Sequence, residues 1–141
     1  MFLRIIIAFV AVIVGLFIGT LCNMGIGMLN ILFFPMPADV NWCDESSHEA
    51  LDAWIKSLPQ HAFILVVVAH QSQSFIGAII AAFIAKRNMM CVAMVVGVLS
   101  TIAGLMNLLT IHGPVWLWLE LPLYLASAWI GAKLVIKMRS K

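Results

Sequence analysis

The chain has 141 residues, of which 64% are hydrophobic and only 10% charged, where a soluble domain is about half apolar and a quarter charged. That composition excludes a water-soluble globule, and the net charge of +2 gives no ground for nucleic-acid binding. What remains is an all-α polytopic membrane protein, one four-transmembrane-helix bundle over residues 1–141 with no separate soluble domain.

The first apolar run, residues 3–23, begins behind Arg4 and ends in Gly19-Thr20-Leu21-Cys22. Its apolar core is longer than the roughly 7–15 residues of a signal-peptide core. Leu21 is too large for the small residue expected before a lipid-modified cysteine. The run is therefore read as a retained span. Gly15, Gly19, Asn23, Gly27 and Asn30 recur every three or four residues, which places them on one face of the span and its continuation. Small residues at that spacing let helices approach closely in lipid, and the two asparagines suit hydrogen bonds between helices.

Residues 24–59 form the first outer loop. Pro35 and Pro37 deny helix continuation. Ser46 and Glu49 have capping-box spacing, and Ala50, Leu51, Trp54, Ile55 and Leu58 follow at helical spacing opposite Glu49, Asp52 and Lys56. This predicts a short amphipathic helix on the outer membrane surface, a connector between spans or, alternatively, a lid or docking surface. Trp42, Trp54, Trp116 and Trp118 then fall where an interfacial aromatic belt belongs.

The second span, 60–85, opens behind Pro59 and contains the polar island His70-Gln71-Ser72-Gln73-Ser74. His70 lies about 16 Å past Pro59 on a helix rising about 1.5 Å per residue, near the middle of a hydrocarbon core about 30 Å thick. Intramembrane polar groups are costly and mark functional sites by default. His70, Gln73, Ser74, Gly77 and Ala81 share one face. Gln71 and Ser72 point elsewhere, so Gln71 requires a second helix or a second protomer. His70 has three readings: a neutral hydrogen-bonded histidine, a protonatable relay, or a ligand to a metal or haem.

The third span, 89–109, carries Gly97, Thr101, Gly104 and Asn107 on one face, with His112 in the turn beyond. The fourth, 115–136, starts behind Pro114, and Pro122 inside it is expected to kink the helix and free the Trp118 carbonyl. Glu120 is the only acid within a span, and Tyr124, Ser127 and Gly131 extend its face. Turning every stripe inward would gather His70, Gln73, Asn23, Asn107 and Glu120 as an intramembrane polar site. Gly15, Gly19, Gly77, Ala81, Gly97, Gly104 and Gly131 would be the helix-packing positions. The orientation of Glu120 relative to His70 decides whether the two form a site or Glu120 is an interfacial acid.

All basic residues except Lys56 fall on one side if the chain starts inside: Arg4, Lys86, Arg87, Lys133, Lys137, Arg139 and Lys141. By the positive-inside rule both termini are cytoplasmic. Cys22, Cys43 and Cys91 make neither a disulfide framework nor a metal-binding spacing. No catalytic motif is present.

Several stretches carry a family likeness: Asn23-Met24 with Leu29-Asn30, Pro35-Met36-Pro37, Ser57-Leu58-Pro59 with Ala62-Phe63, Ala69-His70 with Gln73-Ser74-Phe75 and Gly77, and Met106-Asn107 through His112-Gly113-Pro114 to Glu120-Leu121-Pro122-Leu123-Tyr124. In these the chain resembles small four-span bacterial inner-membrane proteins of unassigned function. Many of those have a histidine before a Tyr-Pro at the end of the first span, where this chain has Ile31 and Phe34. The resemblance implies four spans in a bacterial inner membrane and supplies no activity.

Three functions compete. The first is a structural or accessory membrane protein, a homo-oligomer or minor subunit of a larger complex. The second is proton-coupled or small-solute transport along a polar path including His70 and Glu120. The third is haem, quinone or lipid binding within the bundle. An enzyme is the less favoured class, and no cofactor is assigned.

Overall fold

The computed structural model describes residues 2–38, 40, 48–111 and 113–140. Five α-helices follow in order: α1 (Phe2–Phe33), α2 (His48–Ser57), α3 (Ala62–Ala85), α4 (Met89–Thr110) and, after a 3-10 stretch (Val115–Leu119), α5 (Glu120–Arg139). No strand occurs among the described residues. Four segments, with the 3-10 stretch joined to α5, are long and apolar enough to cross a membrane, which points to a membrane protein. Trp42, Cys43, the Ser46 half of the capping box and His112 lie outside the described residues.

The first helix corrects the expected boundary, since α1 runs past Asn23 to Phe33. Nothing between those residues breaks a helix in an apolar setting; Gly25 and Gly27 are tolerated, and Pro35 supplies the stop. Residues 24–33 are therefore helix, not loop. Similarly, α3 opens at Ala62 and not at Pro59: the Ala62, Phe63 and Ile64 amides donate to the Pro59, Gln60 and His61 carbonyls, a tight turn leading into the helix.

The fourth span departs from expectation for a local reason. Proline lacks the N–H that an interior turn needs, but within the first turn of a helix that N–H has no partner to lose. Residues Val115–Leu119 wind as a 3-10 stretch, and α5 starts at Glu120 with Pro122 in its first turn. The Glu120 amide donates to the Leu117 and Trp118 carbonyls. The expected kink with an orphaned Trp118 carbonyl is thus replaced by a change of helix type.

The central helix is α3, which packs against α1, α4 and α5, while α1 touches α4 only slightly. Small residues make these contacts. A Cβ on Gly15 would sit 2.5 Å from the Gly77 carbonyl oxygen and one on Gly19 would strike the Gln73 carbonyl, so α1 and α3 meet backbone to backbone. Ala81 lines the same seam, 3.0 Å from that Gly15 position. Gly97 faces Ala128, Gly104 accommodates the Tyr124 ring, and Gly131 faces the Phe75 carbonyl. All the expected packing glycines are consumed within one chain, whereas at Gly27 of the same α1 stripe a Cβ would meet nothing within 4 Å.

The two ends of the bundle differ in kind. Near the termini, Ala78, Ala82, Ala93, Ala128, Ala132 and Val135 form one buried cluster and Ala11, Ala81, Val92 and Val96 another. Arg139 joins α5 to α3 and α4 there, donating to the Phe83 carbonyl at 2.7 Å and to Met89 Sδ at 3.8 Å and lying over the Phe83 ring. At the other end α2 lies across the bundle. Its Leu51 and Ile55 are buried with Val40, Phe63, Leu108 and Leu117, and Trp116 Nε1 donates to Gln60 Oε1 at 2.7 Å, tying the 3-10 stretch to the start of α3. Large apolar side chains such as Phe9, Ile13 and Phe17 face outward. Small residues inside and large ones outside is the arrangement of helices packing in lipid.

Candidate functional site: a polar cavity beneath the short helix

The two residues whose meeting sequence left open are in contact. His70 Nδ1 stands 3.1 Å from both Glu120 carboxylate oxygens. Their levels agree because both helices begin later than expected. His70 lies about 12 Å beyond Ala62 at 1.5 Å per residue, and Glu120 about 10 Å beyond Val115 at the 2.0 Å rise of a 3-10 helix. Glu120 is only 2% exposed. Its carboxylate is turned into the bundle.

Neighbouring groups hold the pair in place. Tyr124, one turn after Glu120, stacks on the His70 ring with centroids 6.3 Å apart. Its own ring fits where Gly104 has no side chain. One turn below, Ser74 Oγ donates to the Tyr124 carbonyl at 2.7 Å. Gln71, expected to need another helix or another chain, finds the former. Its Oε1 accepts from Ser127 Oγ at 2.9 Å, and its Nε2 lies 3.4 Å from the Glu120 carbonyl oxygen. Ser72 returns to its own helix, donating to the Ala69 carbonyl.

Above the pair lies a cavity of about 540 Å³ whose wall includes Asn23, Asn30, His70, Asn107 and Glu120, with Trp54 and Ile55 of α2, and Leu58 just after it, on its boundary. Four of the five expected site residues therefore share one cavity. Gln73 does not line it; its Oε1 accepts from Asn23 Nδ2 at 2.9 Å, fixing that asparagine. Comparison with known families, curated proteins and solved structures finds no match. The site must be read from its own chemistry.

That chemistry is polar, amide-rich and weakly charged. Among the described lining residues there is no lysine or arginine, and the titratable groups are His70 and Glu120. Asn30 is 7% exposed, and its Oδ1 is buried without a hydrogen-bond partner among the described residues. A buried carbonyl left unpaired costs about 1–3 kcal/mol, so this atom calls for a donor. Asn30 was visible in sequence as part of the α1 stripe, but its special status is a tertiary property. Tyr124 and Gln71 also escaped the expected site. The one-turn spacing of Glu120 and Tyr124 was the available signal for the first; nothing local signalled the second.

Below Ser74 and Ser100 the interior closes. Buried alanines and valines pack the half nearer the termini, and a separate cavity of about 1010 Å³, lined by Arg4, Lys86, Arg87, Asn88 and apolar residues of α1 and α4, lies at that end. Among the described residues no group of three His, Cys, Asp or Glu side chains is placed to hold a metal ion.

Proposed function

We propose that this is a small membrane protein that binds a predominantly apolar molecule with a polar head in the cavity beneath α2, with His70 and Glu120 anchoring the head. The observation that carries this reading is convergence. Polar side chains from α1, α3, α4 and α5 surround one cavity with an otherwise apolar wall, the usual composition of a ligand site. The buried alanine and valine clusters support binding over transport through the bundle, because a polar solute would find no polar partner among them. The small-residue stripes, which suggest a homo-oligomer or accessory subunit from sequence, are apart from Gly27 occupied inside the chain and so weigh less for assembly.

The distribution of charge supports the orientation. Arg4, Lys86, Arg87, Lys133, Lys137 and Arg139 belong to the end opposite α2, consistent with cytoplasmic termini and with α2 on the outer face. In this reading the membrane is a bacterial inner membrane, and α2 serves as the roof of the site.

Two glycines provide the test. Gly25 and Gly27 both have open space where a Cβ would go, but only Gly27 lines the cavity. Native mass spectrometry of protein extracted in lipid nanodiscs should detect a small molecule retained by wild type and by Gly25→Leu and lost from Gly27→Leu. Equal retention by both variants overturns the reading.

A further inference from the structure

The larger cavity, at the end of the bundle opposite α2, is built from different residues and suits a different occupant. We infer that it binds an anionic phospholipid, with Arg4, Lys86 and Arg87 holding the phosphate and the cleft between α1 and α4 holding an acyl chain. The inference is independent of the ligand proposed for the cavity beneath α2.

Three observations carry it. The first is the cleft itself. Helix α3 packs against both α1 and α4, but those two touch each other only slightly, and a space of about 1010 Å³ remains between them. Phe9 and Val12 of α1 line it together with Val95 and Leu99 of α4. Phe9, Val95 and Leu99 are exposed, so the cleft opens sideways, where hydrocarbon chains surround the bundle. The second is depth. From Met89, where α4 begins, the lining reaches Leu99, about 15 Å along a helix rising 1.5 Å per residue. That is half of a hydrocarbon core about 30 Å thick. The apolar wall therefore runs from the headgroup level through one leaflet, a length that an acyl chain fills and a soluble anion does not.

The third is charge. Arg4, Lys86 and Arg87 line one end of the cleft, and none of them has an ion pair or side-chain hydrogen bond to another described residue. Arg139 and Lys133 at the same end of the bundle are engaged, the first with the Phe83 carbonyl and the second over the Trp129 ring. No acid balances the three free cations. Of the six acidic residues, five lie in sequence within or just ahead of α2, and the sixth is Glu120 in the other cavity. A choline or ethanolamine head would bring an ammonium that meets no carboxylate here, whereas a phosphodiester without one leaves its charge to the guanidinium forks, which match phosphate oxygens in pairs. Basic pockets between membrane helices on the cytoplasmic side recognise anionic lipid heads, and the positive-inside rule assigns this end to that side.

The test titrates full-length protein, delipidated in detergent, with palmitoyl-oleoyl phosphatidylglycerol or the phosphatidylcholine of the same chains, read by native mass spectrometry. Phosphatidylglycerol should add first as a single adduct, about tenfold more tightly than phosphatidylcholine. Arg4→Gln combined with Arg87→Gln should erase that preference. Lys133→Gln combined with Lys137→Gln removes the same charge from the same end of the bundle outside the cleft, and should leave it. Val95→Trp, which narrows the cleft and alters no charge, should weaken phosphatidylglycerol several-fold. The comparison of the two lipids on wild type needs no variant. Equal affinity for them overturns the inference, as does equal loss in both charge-removing variants, which would assign the preference to the whole end of the bundle. Displacement of the lipid by glycerol phosphate would make this a site for a free phosphate ester, and a dimer that takes no phosphatidylglycerol would assign the cleft to a second copy of the chain; either result overturns it too.

Discussion

Ser127 of α5 donates a 2.9 Å hydrogen bond to Gln71 of α3, so the amide that looked most in need of a second protomer is satisfied within one chain. The bond lies on the flank of α3 away from α1 and next to the His70–Glu120 contact. It fixes the rotation of α5, and with it the direction in which Glu120 points. A double-mutant cycle on Gln71→Leu and Ser127→Ala should give a coupling of about 0.6–1.7 kcal/mol, the range of such bonds between membrane helices. Unfolding by steric trapping in bicelles measures it; zero coupling would remove the Gln71–Ser127 bond from the α3–α5 contact.

The His70–Glu120 pair makes a sharper prediction. Removing one partner of a buried pair strands the other, at about 3–5 kcal/mol, whereas replacing both by apolar residues is often nearly neutral. His70→Leu should therefore destabilise the protein more than the His70→Leu, Glu120→Leu double variant. A double variant weaker than both singles would show that the pair stabilises the fold in its own right.

Close backbone approach predicts a contrast within α1. Gly19→Ala places a methyl against the Gln73 carbonyl, and overpacking of this kind costs about 1–3 kcal/mol. Gly25→Ala meets open space and should be neutral or slightly stabilising. Thermal denaturation of the two variants side by side checks this, and equal melting temperatures would contradict the α1–α3 seam.

Pro122 separates two descriptions of the fourth span. A proline inside a helix costs about 3 kcal/mol relative to alanine, so relieving a mid-helix kink would give a large gain. Because Pro122 lies in the first turn of α5, Pro122→Ala should change stability by less than about 1 kcal/mol. Chemical denaturation measures the difference, and a large stabilisation would favour the kinked helix.

Length and apolarity were legible from composition and runs, because a helix that crosses hydrocarbon must satisfy its backbone within itself and clothe it in apolar side chains. The stripes were legible too, since helical periodicity is a property of local sequence: Asn23, His70, Asn107 and Glu120 stand out as polar positions in apolar runs without any knowledge of contacts. Helix ends were less legible. The end of α1 at Phe33 and the 3-10 stretch before Glu120 depend on how neighbouring segments pack as much as on the prolines nearby.

What sequence by itself determined here was a set of apolar helices each carrying a small or polar face. Only the tertiary structure decided which faces meet. Rotation of α5 about its axis and its displacement along α3 are set by contacts fifty or so residues apart, such as Ser74 with Tyr124 and Gln71 with Ser127. Those contacts turn Glu120 onto His70, while the α1–α3 seam brings Gln73 to Asn23 and leaves Asn30 Oδ1 without a donor among the described residues. A local pattern can show that a polar group is out of place in an apolar span; its partner, or the lack of one, appears when distant segments pack together.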